Sequence, residues 1–258
     1  MHHVSSLEMV GALIYNDFSD VYDQQYVAYQ DDVAFYRRVV EDYGDPILEL
    51  GAGTARLSIA LARRGFRMVG IELSEAMLGR GRKNLVEAGL GELVELRQGD
   101  MRTLDLGARF PVVLAPFNTL MHAYTLQDQD RTLAAVLHHL EPGGVFAFDL
   151  FMPHFGALGV LRQEREWSHV GGGKSELFIL QLDDPDKQLI ETRYYLDTTQ
   201  PDGALTRRRS SLVQRYYTRF EIERALYQAG FANVRLFGGF DKQPFRGQPA
   251  ILVGIARA

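Results

Sequence analysis

Short apolar runs alternate with longer, helix-like stretches between residues 45 and 151. Each run has the length of a strand, and the stretches between them carry apolar residues at helical spacing. One stretch, residues 54–64, is followed by Gly65, a residue that commonly ends a helix. Strands and helices that alternate in this way predict a parallel sheet with right-handed crossovers and helices on both faces. The five predicted strands are residues 46–50, 66–72, 93–98, 112–116 and 145–151, and residues 141–144 (EPGG) are predicted to form a turn before the fifth.

The pattern changes after residue 151. Four strand-like runs follow one another with turn clusters between them, and this spacing predicts an antiparallel β-meander. A helix-like stretch with Thr218 as its N-terminal cap and two further strand-like runs complete the chain. The most economical arrangement is one α/β domain with a meander inserted after its fifth strand. The runs of the meander are residues 165–169, 177–182, 190–198 and 205–217.

We divide the chain into three parts on this basis. Residues 1–44 carry aromatic side chains at helical spacings and are predicted to form an N-terminal helical cap. Residues 45–151 and 218–258 are predicted to form a ligand-binding domain, and residues 152–217 an inserted antiparallel β subdomain. Because ligands of open parallel sheets bind beyond the carboxyl ends of the strands, the loops that follow the strands are the places to look for chemistry.

The composition excludes several classes of protein and site. The 258 residues include no cysteine, which excludes a disulfide framework, a thiolate metal site and a cysteine nucleophile. The net charge of −5 gives no general attraction to nucleic acid or to an anionic membrane. No apolar run approaches the ~20 residues that span a bilayer, and the first residues lack the pattern of a signal peptide. We therefore expect a cytoplasmic enzyme or binding protein with no metal site and no nucleic-acid or membrane partner.

The loop after the first strand contains Gly51 and Gly53, followed by a predicted helix. Glycines there allow a tight turn and let a ligand approach the backbone amides at the helix N-terminus, although a plain strand–helix turn also explains them. A dinucleotide fingerprint needs a third small residue, and Arg56 stands in that position. The carboxylate of Glu49 would repel a pyrophosphate but suits a cation. The loop therefore favours a positively charged, amine-bearing cofactor over NAD.

Two more acids follow the next strands. Glu72 ends the second strand, where a carboxylate accepts hydrogen bonds from ribose hydroxyls. Asp100 follows the third strand, where a carboxylate accepts from an adenine amino group. Either acid alone is also explained as a helix cap or a solvated loop residue. Acids at three successive strand ends, with Glu49 as the first, together favour a nucleoside site.

Four segments resemble class I S-adenosylmethionine-dependent methyltransferases in their order and spacing. They are residues 48–54 (LELGAGT), 69–78 (VGIELSEAML), 98–102 (QGDMR) and 140–144 (LEPGG). The resemblance implies an α/β fold with a doubly wound, Rossmann-like seven-stranded sheet, in which the returning helix and final hairpin supply an antiparallel last strand. It also implies S-adenosyl-L-methionine as the cofactor.

The resemblance assigns roles to residues of these segments. Glu49 and Gly51 would hold the methionine amine and lie against the cofactor, and Glu72 would bind the ribose hydroxyls. Leu73 and Met77 would pack near the adenine, with Asp100 and the Met101 amide at its polar edge. The cofactor-binding residues predicted in this way are Tyr22, Glu49, Gly51, Ala52, Gly53, Thr54, Glu72, Leu73, Met77, Asp100, Met101 and Phe117.

A narrower resemblance is to small-molecule methyltransferases, and among them to sugar N-methyltransferases that act on aminosugars. It rests on residues 18–23 (FSDVYD), residues 117–122 (FNTLMH) and the meander that precedes residues 220–230. In that subgroup, N-terminal tyrosines fold over the cofactor. The inserted sheet contributes to the acceptor pocket or to a dimer contact, so the resemblance implies a possible homodimer through this sheet.

The loop after the fourth strand is predicted to face the acceptor. His122 is the candidate base or orienting hydrogen-bond partner, since the ordinary pKa of histidine, about 6.5, suits either role. Tyr15 would touch the acceptor and Tyr22 would help to close the pocket. The alternatives are that His122 packs at a helix start and that the tyrosines only pack. Ala115 cannot accept a hydrogen bond from a target amine, which disfavours methylation of a nucleobase.

These observations predict a methyltransferase that uses S-adenosylmethionine to methylate a small molecule, on an amine rather than a hydroxyl. The alternative is a non-catalytic or regulatory protein that binds the same cofactor. The catalytic candidates are His122 and Tyr15.

Overall fold

The computed structural model describes residues 29–258, which contain eleven strands and five α-helices. The strands are β1 (Ile47–Leu50), β2 (Met68–Glu72), β3 (Val94–Gln98), β4 (Phe110–Ala115), β5 (Leu140–Phe151), β6 (Arg162–Ser168), β7 (Lys174–Asp184), β8 (Leu189–Thr199), β9 (Leu205–Arg215), β10 (Ala232–Phe237) and β11 (Ile251–Arg257). The helices are α1 (Val33–Tyr43), α2 (Arg56–Ala62), α3 (Glu75–Ala88), α4 (Leu126–His138) and α5 (Arg219–Ala229), with 3-10 turns at Thr119–His122 and Phe155–Ala157.

The central sheet has seven strands in the order β10-β11-β5-β4-β1-β2-β3. Strands β1 to β5 pair in parallel, whereas β11 runs antiparallel to both β5 and β10. The chain order reverses between β1 and β4, which is where a doubly wound sheet opens a crevice for a ligand. The predicted Rossmann-like sheet with an antiparallel last strand is confirmed.

The inserted segment forms a separate antiparallel sheet in the order β6-β7-β8-β9. This confirms the meander that the turn clusters predicted after the fifth strand. The boundaries of the three predicted parts of the chain, and a homodimer through this sheet, stay predictions.

Both faces of the central sheet are covered by helices because its strands are apolar on both sides. Helices α4 and α5 pack on one face, and α1, α2 and α3 pack on the other. The contact between β11 and β5 needs a glycine, since a Cβ atom on Gly254 would lie 2.2 Å from the Phe148 ring. Within residues 29–258 the structure contains no helix with the length and apolar character of a membrane span.

One predicted turn lies inside a strand. Residues 141–144 were expected to precede the fifth strand, but β5 begins at Leu140. Leu140 pairs with Phe110, and regular pairing resumes only at Val145 with Val112, so the register shifts across these residues. Gly143, with φ +80°, provides the backbone conformation that lets the strand continue through the irregularity.

Candidate active site

An open cavity lies at the carboxyl ends of β1, β2, β3 and β4, and the space within it, open solvent included, is about 950 Å³. It occupies the crevice that the reversal in strand order creates. The cavity is lined by Gly51, Gly53, Ile71, Glu72, Leu73, Ser74, Met77, Gly99, Asp100, Met101, Arg102, Pro116, Phe117, Thr119, His122 and Tyr124.

The glycine loop after β1 forms one wall with its backbone. Gly51 and Gly53 have φ angles of +63° and +57°, which side-chain-bearing residues rarely adopt. A Cβ atom on Gly51 would lie 2.6 Å from the Thr119 hydroxyl oxygen, so the loop needs glycine for space as well as for conformation. A ligand can therefore lie directly against the peptide groups.

Glu72 at the end of β2 joins two segments of the wall. Its Oε2 accepts a hydrogen bond from the Gly53 amide at 2.9 Å, and its Oε1 accepts from the Ser74 amide at 2.8 Å. Burial raises the pKa of Glu72, although these backbone hydrogen bonds favour the charged form. An ionised carboxylate has about four acceptor positions, so ligand hydroxyls can add to the two amides.

Asp100, after β3, is held by Arg102. The Arg102 Nη2 lies 2.6 Å from the Asp100 Oδ2, and its Nη1 lies 3.5 Å from Asp128 on α4. Burial acts to raise the pKa of Asp100, but the hydrogen bonds and charge of Arg102 lower it overall. The carboxylate is therefore ionised and fixed beside the cavity.

The loop after β4 has two consecutive non-glycine residues with positive φ, Phe117 at +54° and Asn118 at +66°. Asparagine tolerates this conformation, but phenylalanine does not without support. The Phe117 amide donates to Asp149 Oδ1 at 2.8 Å, and the same oxygen accepts from the Tyr36 hydroxyl at 2.5 Å. Burial raises the pKa of Asp149 to about 6. These contacts hold the backbone of Phe117, whose side chain lines the cavity.

His122 ends the 3-10 turn that follows this loop. Its Nδ1 lies 3.3 Å from the Tyr124 hydroxyl, which donates its only proton to the Val213 carbonyl of β9 at 2.9 Å. The Nδ1 atom must then be the donor to Tyr124, and the neutral imidazole carries its lone pair on Nε2. Burial lowers the pKa of His122 to about 4. The inserted sheet thus takes part in orienting the predicted acceptor-side histidine.

Nine of the predicted site residues line this cavity. Three others do not line it: Glu49 lies in β1, and Ala52 and Thr54 lie in the loop that follows β1. Tyr15 and Tyr22 lie outside the described residues, so their roles stay predictions. The nine are Gly51, Gly53, Glu72, Leu73, Met77, Asp100, Met101, Phe117 and His122.

Glu49 lies beneath the glycine loop, with 2% of its surface exposed. Its carboxylate accepts a hydrogen bond from the Ser58 hydroxyl of α2. Burial raises its pKa to about 7. Its contact with an amine of the ligand stays a prediction, which the lining of the cavity does not support.

Sequence reasoning missed several residues that shape the site. Tyr124 and Thr119 line the cavity, and Asp149 supports the loop after β4. Asp149 is the one charged residue in the apolar run of residues 145–151, and nothing in that run indicates which groups it contacts. The position of Tyr124, two residues after His122, was a signal that could have been used.

The lining fits S-adenosylmethionine better than a dinucleotide. Among the described residues, the charged side chains of the lining are Glu72, Asp100 and Arg102, which together carry one negative charge. This charge attracts a sulfonium cation and repels a pyrophosphate. Leu73 and Met77 add apolar surface on which an adenine can pack.

A protein family described as a methyltransferase domain matches residues 47–144. The chain is also similar to dTDP-3-amino-3,4,6-trideoxy-alpha-D-glucopyranose N,N-dimethyltransferase of Streptomyces venezuelae, with 32% identity over 136 residues. This alignment covers 50% of the chain and 55% of the relative. The chain therefore spans about half the length of the curated relatives it matches.

Two solved structures extend the similarity beyond the matched domain. The CcbJ methyltransferase from Streptomyces caelestis has a TM-score of 0.78 and 26% identity, and the match covers 88% of this chain and 90% of that one. The glycopeptide N-methyltransferase MtfA, solved in complex with S-adenosyl-L-methionine, has a TM-score of 0.55 and 25% identity. That match covers 89% of this chain and 95% of MtfA.

Proposed function

We propose that this chain, which belongs to the class I S-adenosylmethionine-dependent methyltransferases, transfers a methyl group to an amine of a small molecule. The observation that carries the proposal is that one cavity is lined both by the strand-end acids Glu72 and Asp100 and by His122. The acids suit the adenosyl part of the cofactor, and the histidine suits an acceptor beside it. Binding and transfer therefore have a place in the same crevice.

An amine fits this site better than a hydroxyl. With a pKa of about 4, His122 is too weak a base to take a proton from an alcohol. A neutral amine already carries the lone pair that transfer needs, so it requires orientation rather than strong base catalysis. The negative charge of the lining also attracts the protonated form of an amine acceptor to the cavity. The aminosugar named for the Streptomyces venezuelae relative belongs to this class of acceptor.

S-adenosylmethionine, when bound, supplies an electrophilic methyl group on a positively charged sulfur. Glu72 would accept hydrogen bonds from the ribose hydroxyls, and Asp100 would accept from the adenine amino group. The lone pair of His122 Nε2 would accept an N–H of the acceptor and so direct the nitrogen lone pair towards the methyl group. The ring of Phe117 would help to exclude water from this side of the cavity.

Calorimetric titration of the purified chain with S-adenosylmethionine, S-adenosylhomocysteine and NAD tests the cofactor part. We expect the two adenosyl ligands to bind and NAD not to bind. A mass-spectrometric assay then presents aminosugars, small amines and the corresponding hydroxyl compounds. A gain of one or two methyl groups on amines alone is the expected result. Methylation confined to hydroxyls would overturn the assignment, and tight cofactor binding without any transfer would favour a regulatory protein.

The pH dependence of kcat/KM follows from the burial of His122. Because its pKa is lowered to about 4, His122 is neutral across pH 5–8 and should give no inflection near 6.5. At saturating S-adenosylmethionine, kcat/KM should instead rise with pH up to the pKa of the acceptor amine. Two acceptors whose amines differ by at least one pKa unit should shift the inflection accordingly. An inflection near pH 6.5 with both acceptors would show that this environment is wrong for His122.

A further inference from the structure

The guanidinium of Arg56 joins three segments beside the cavity. Its Nη1 and Nη2 donate to the two carboxylate oxygens of Asp32, at 2.9 and 2.5 Å, and Nη1 also donates to the Tyr29 carbonyl at 3.1 Å. The guanidinium carbon lies 5.4 Å from the centre of the Tyr29 ring and 5.5 Å from the centre of the Phe117 ring. We call these four residues the Arg56 clamp.

The ion pair of the clamp is buried. Asp32, directly before α1, has no exposed surface, and the Arg56 side chain is 14% exposed. A buried carboxylate stays charged at low cost only when a partner of matching geometry satisfies it, and the planar fork of arginine does so with two parallel hydrogen bonds. Lysine has one ammonium point charge and cannot reproduce the fork.

The clamp reaches the cavity through Phe117. The Tyr29 and Phe117 rings meet edge to face, with their centres 5.5 Å apart and the guanidinium near both. Phe117 is in the cavity wall, and its amide is fixed independently by Asp149. The Phe117 backbone is therefore held by Asp149 of β5, and its ring is held by the clamp. The backbone has a positive φ angle, which phenylalanine rarely adopts.

We propose that Arg56 is a positioning residue for the cofactor site, which it serves by holding the Phe117 ring in the cavity wall. It does not line the cavity itself. Arg56 stands where a dinucleotide fingerprint has a small residue, and in this fold its side chain extends to Asp32 and α1. The proposal rests on the proposed function, because the affinity that it predicts to fall is that for the adenosyl cofactor.

The test is the affinity for S-adenosylhomocysteine, measured by calorimetry on the full chain. We expect Arg56→Lys to weaken binding about tenfold, since the stacking and the bidentate pair are lost together. Arg207→Lys is the matched control. Arg207 also makes a bidentate pair, with Asp197 at 2.6 Å for both bonds, and lies 5.5 Å from the centre of the Tyr195 ring, but on the inserted sheet. The affinity of the Arg207→Lys variant for S-adenosylhomocysteine should stay within twofold of that of the wild type.

A double-mutant cycle shows whether Arg56 acts through Phe117. Phe117→Leu should itself weaken binding, and adding Arg56→Lys to it should cost less than twofold more. A full tenfold loss in that background would overturn the proposal, as would a wild-type affinity in Arg56→Lys alone. If wild-type protein binds no adenosyl ligand, the proposed function fails before the clamp is tested.

A structural role alone predicts a different result. Circular dichroism and thermal unfolding identify loss of fold, which would lower Tm without changing the affinity of the folded protein. Should Arg56→Lys not fold, Tyr29→Leu decides, because it keeps the ion pair and removes one ring of the clamp. We expect about threefold weaker binding in Tyr29→Leu, and unchanged binding would overturn the proposal.

Discussion

Replacement of Glu72 by alanine is expected to weaken the binding of S-adenosylmethionine at least 100-fold. Hydrogen bonds from two ribose hydroxyls to a carboxylate each contribute about 1.5–3 kcal/mol, and about 1.4 kcal/mol corresponds to a tenfold change in Kd. The substitution also removes the acceptor of the Gly53 and Ser74 amides, so the glycine loop and the start of α3 lose their common anchor. Both effects act on the same wall of the cavity.

Calorimetric titration of Glu72→Ala with S-adenosylmethionine and S-adenosylhomocysteine measures this effect. Glu95→Ala is the matched control, because Glu95 lies on the adjacent strand β3, is exposed and pairs with its neighbour Arg97 at 2.7 Å. The affinity of the Glu95→Ala variant for both adenosyl ligands should equal that of the wild type. A Glu72→Ala protein that is folded and binds within threefold of the wild type would show that Glu72 does not hold the cofactor.

The order of strands and helices was predictable because each element has its own local pattern of apolar and polar residues. Apolar runs of strand length between amphipathic stretches predicted β1 to β5, and the turn clusters predicted the change to an antiparallel sheet. The bounds were less predictable. The expected turn at residues 141–144 became part of β5, since the pairing of Leu140 with Phe110 is a contact between strands and leaves no local signal.

The site was predictable where a residue follows a strand. Glu72 and Asp100 come to the same cavity because the carboxyl ends of parallel strands share one edge of the sheet. Contacts between distant segments were not predictable in this way. The Tyr124 hydroxyl meets the Val213 carbonyl across 89 positions of the chain, and the Phe117 amide meets Asp149 across 32. Such pairs depend on how the inserted sheet and β5 pack, which a motif does not encode.

Replacement of His122 by alanine is expected to lower kcat for an amine acceptor about 100-fold. Loss of the Nε2 lone pair removes the group proposed to orient the acceptor nitrogen, and misorientation by about 1 Å costs on the order of 100-fold in rate. The affinity for S-adenosylhomocysteine should change less than threefold, because Glu72 and the glycine loop remain. Initial rates at saturating cofactor and calorimetry on the same preparation separate the two effects.

His138→Ala is the control for His122→Ala, since His138 lies exposed on α4, outside the cavity lining, and its loss should not alter kcat.

Tyr124→Phe tests the geometry of the His122 side chain more finely. It keeps the ring but removes the oxygen that accepts from His122 Nδ1 and donates to Val213, so the imidazole stays present with its orientation less well fixed. We expect kcat to fall about tenfold, between the wild type and His122→Ala. Unchanged kcat in both Tyr124→Phe and His122→Ala would assign the histidine a packing role and leave orientation of the acceptor to other residues.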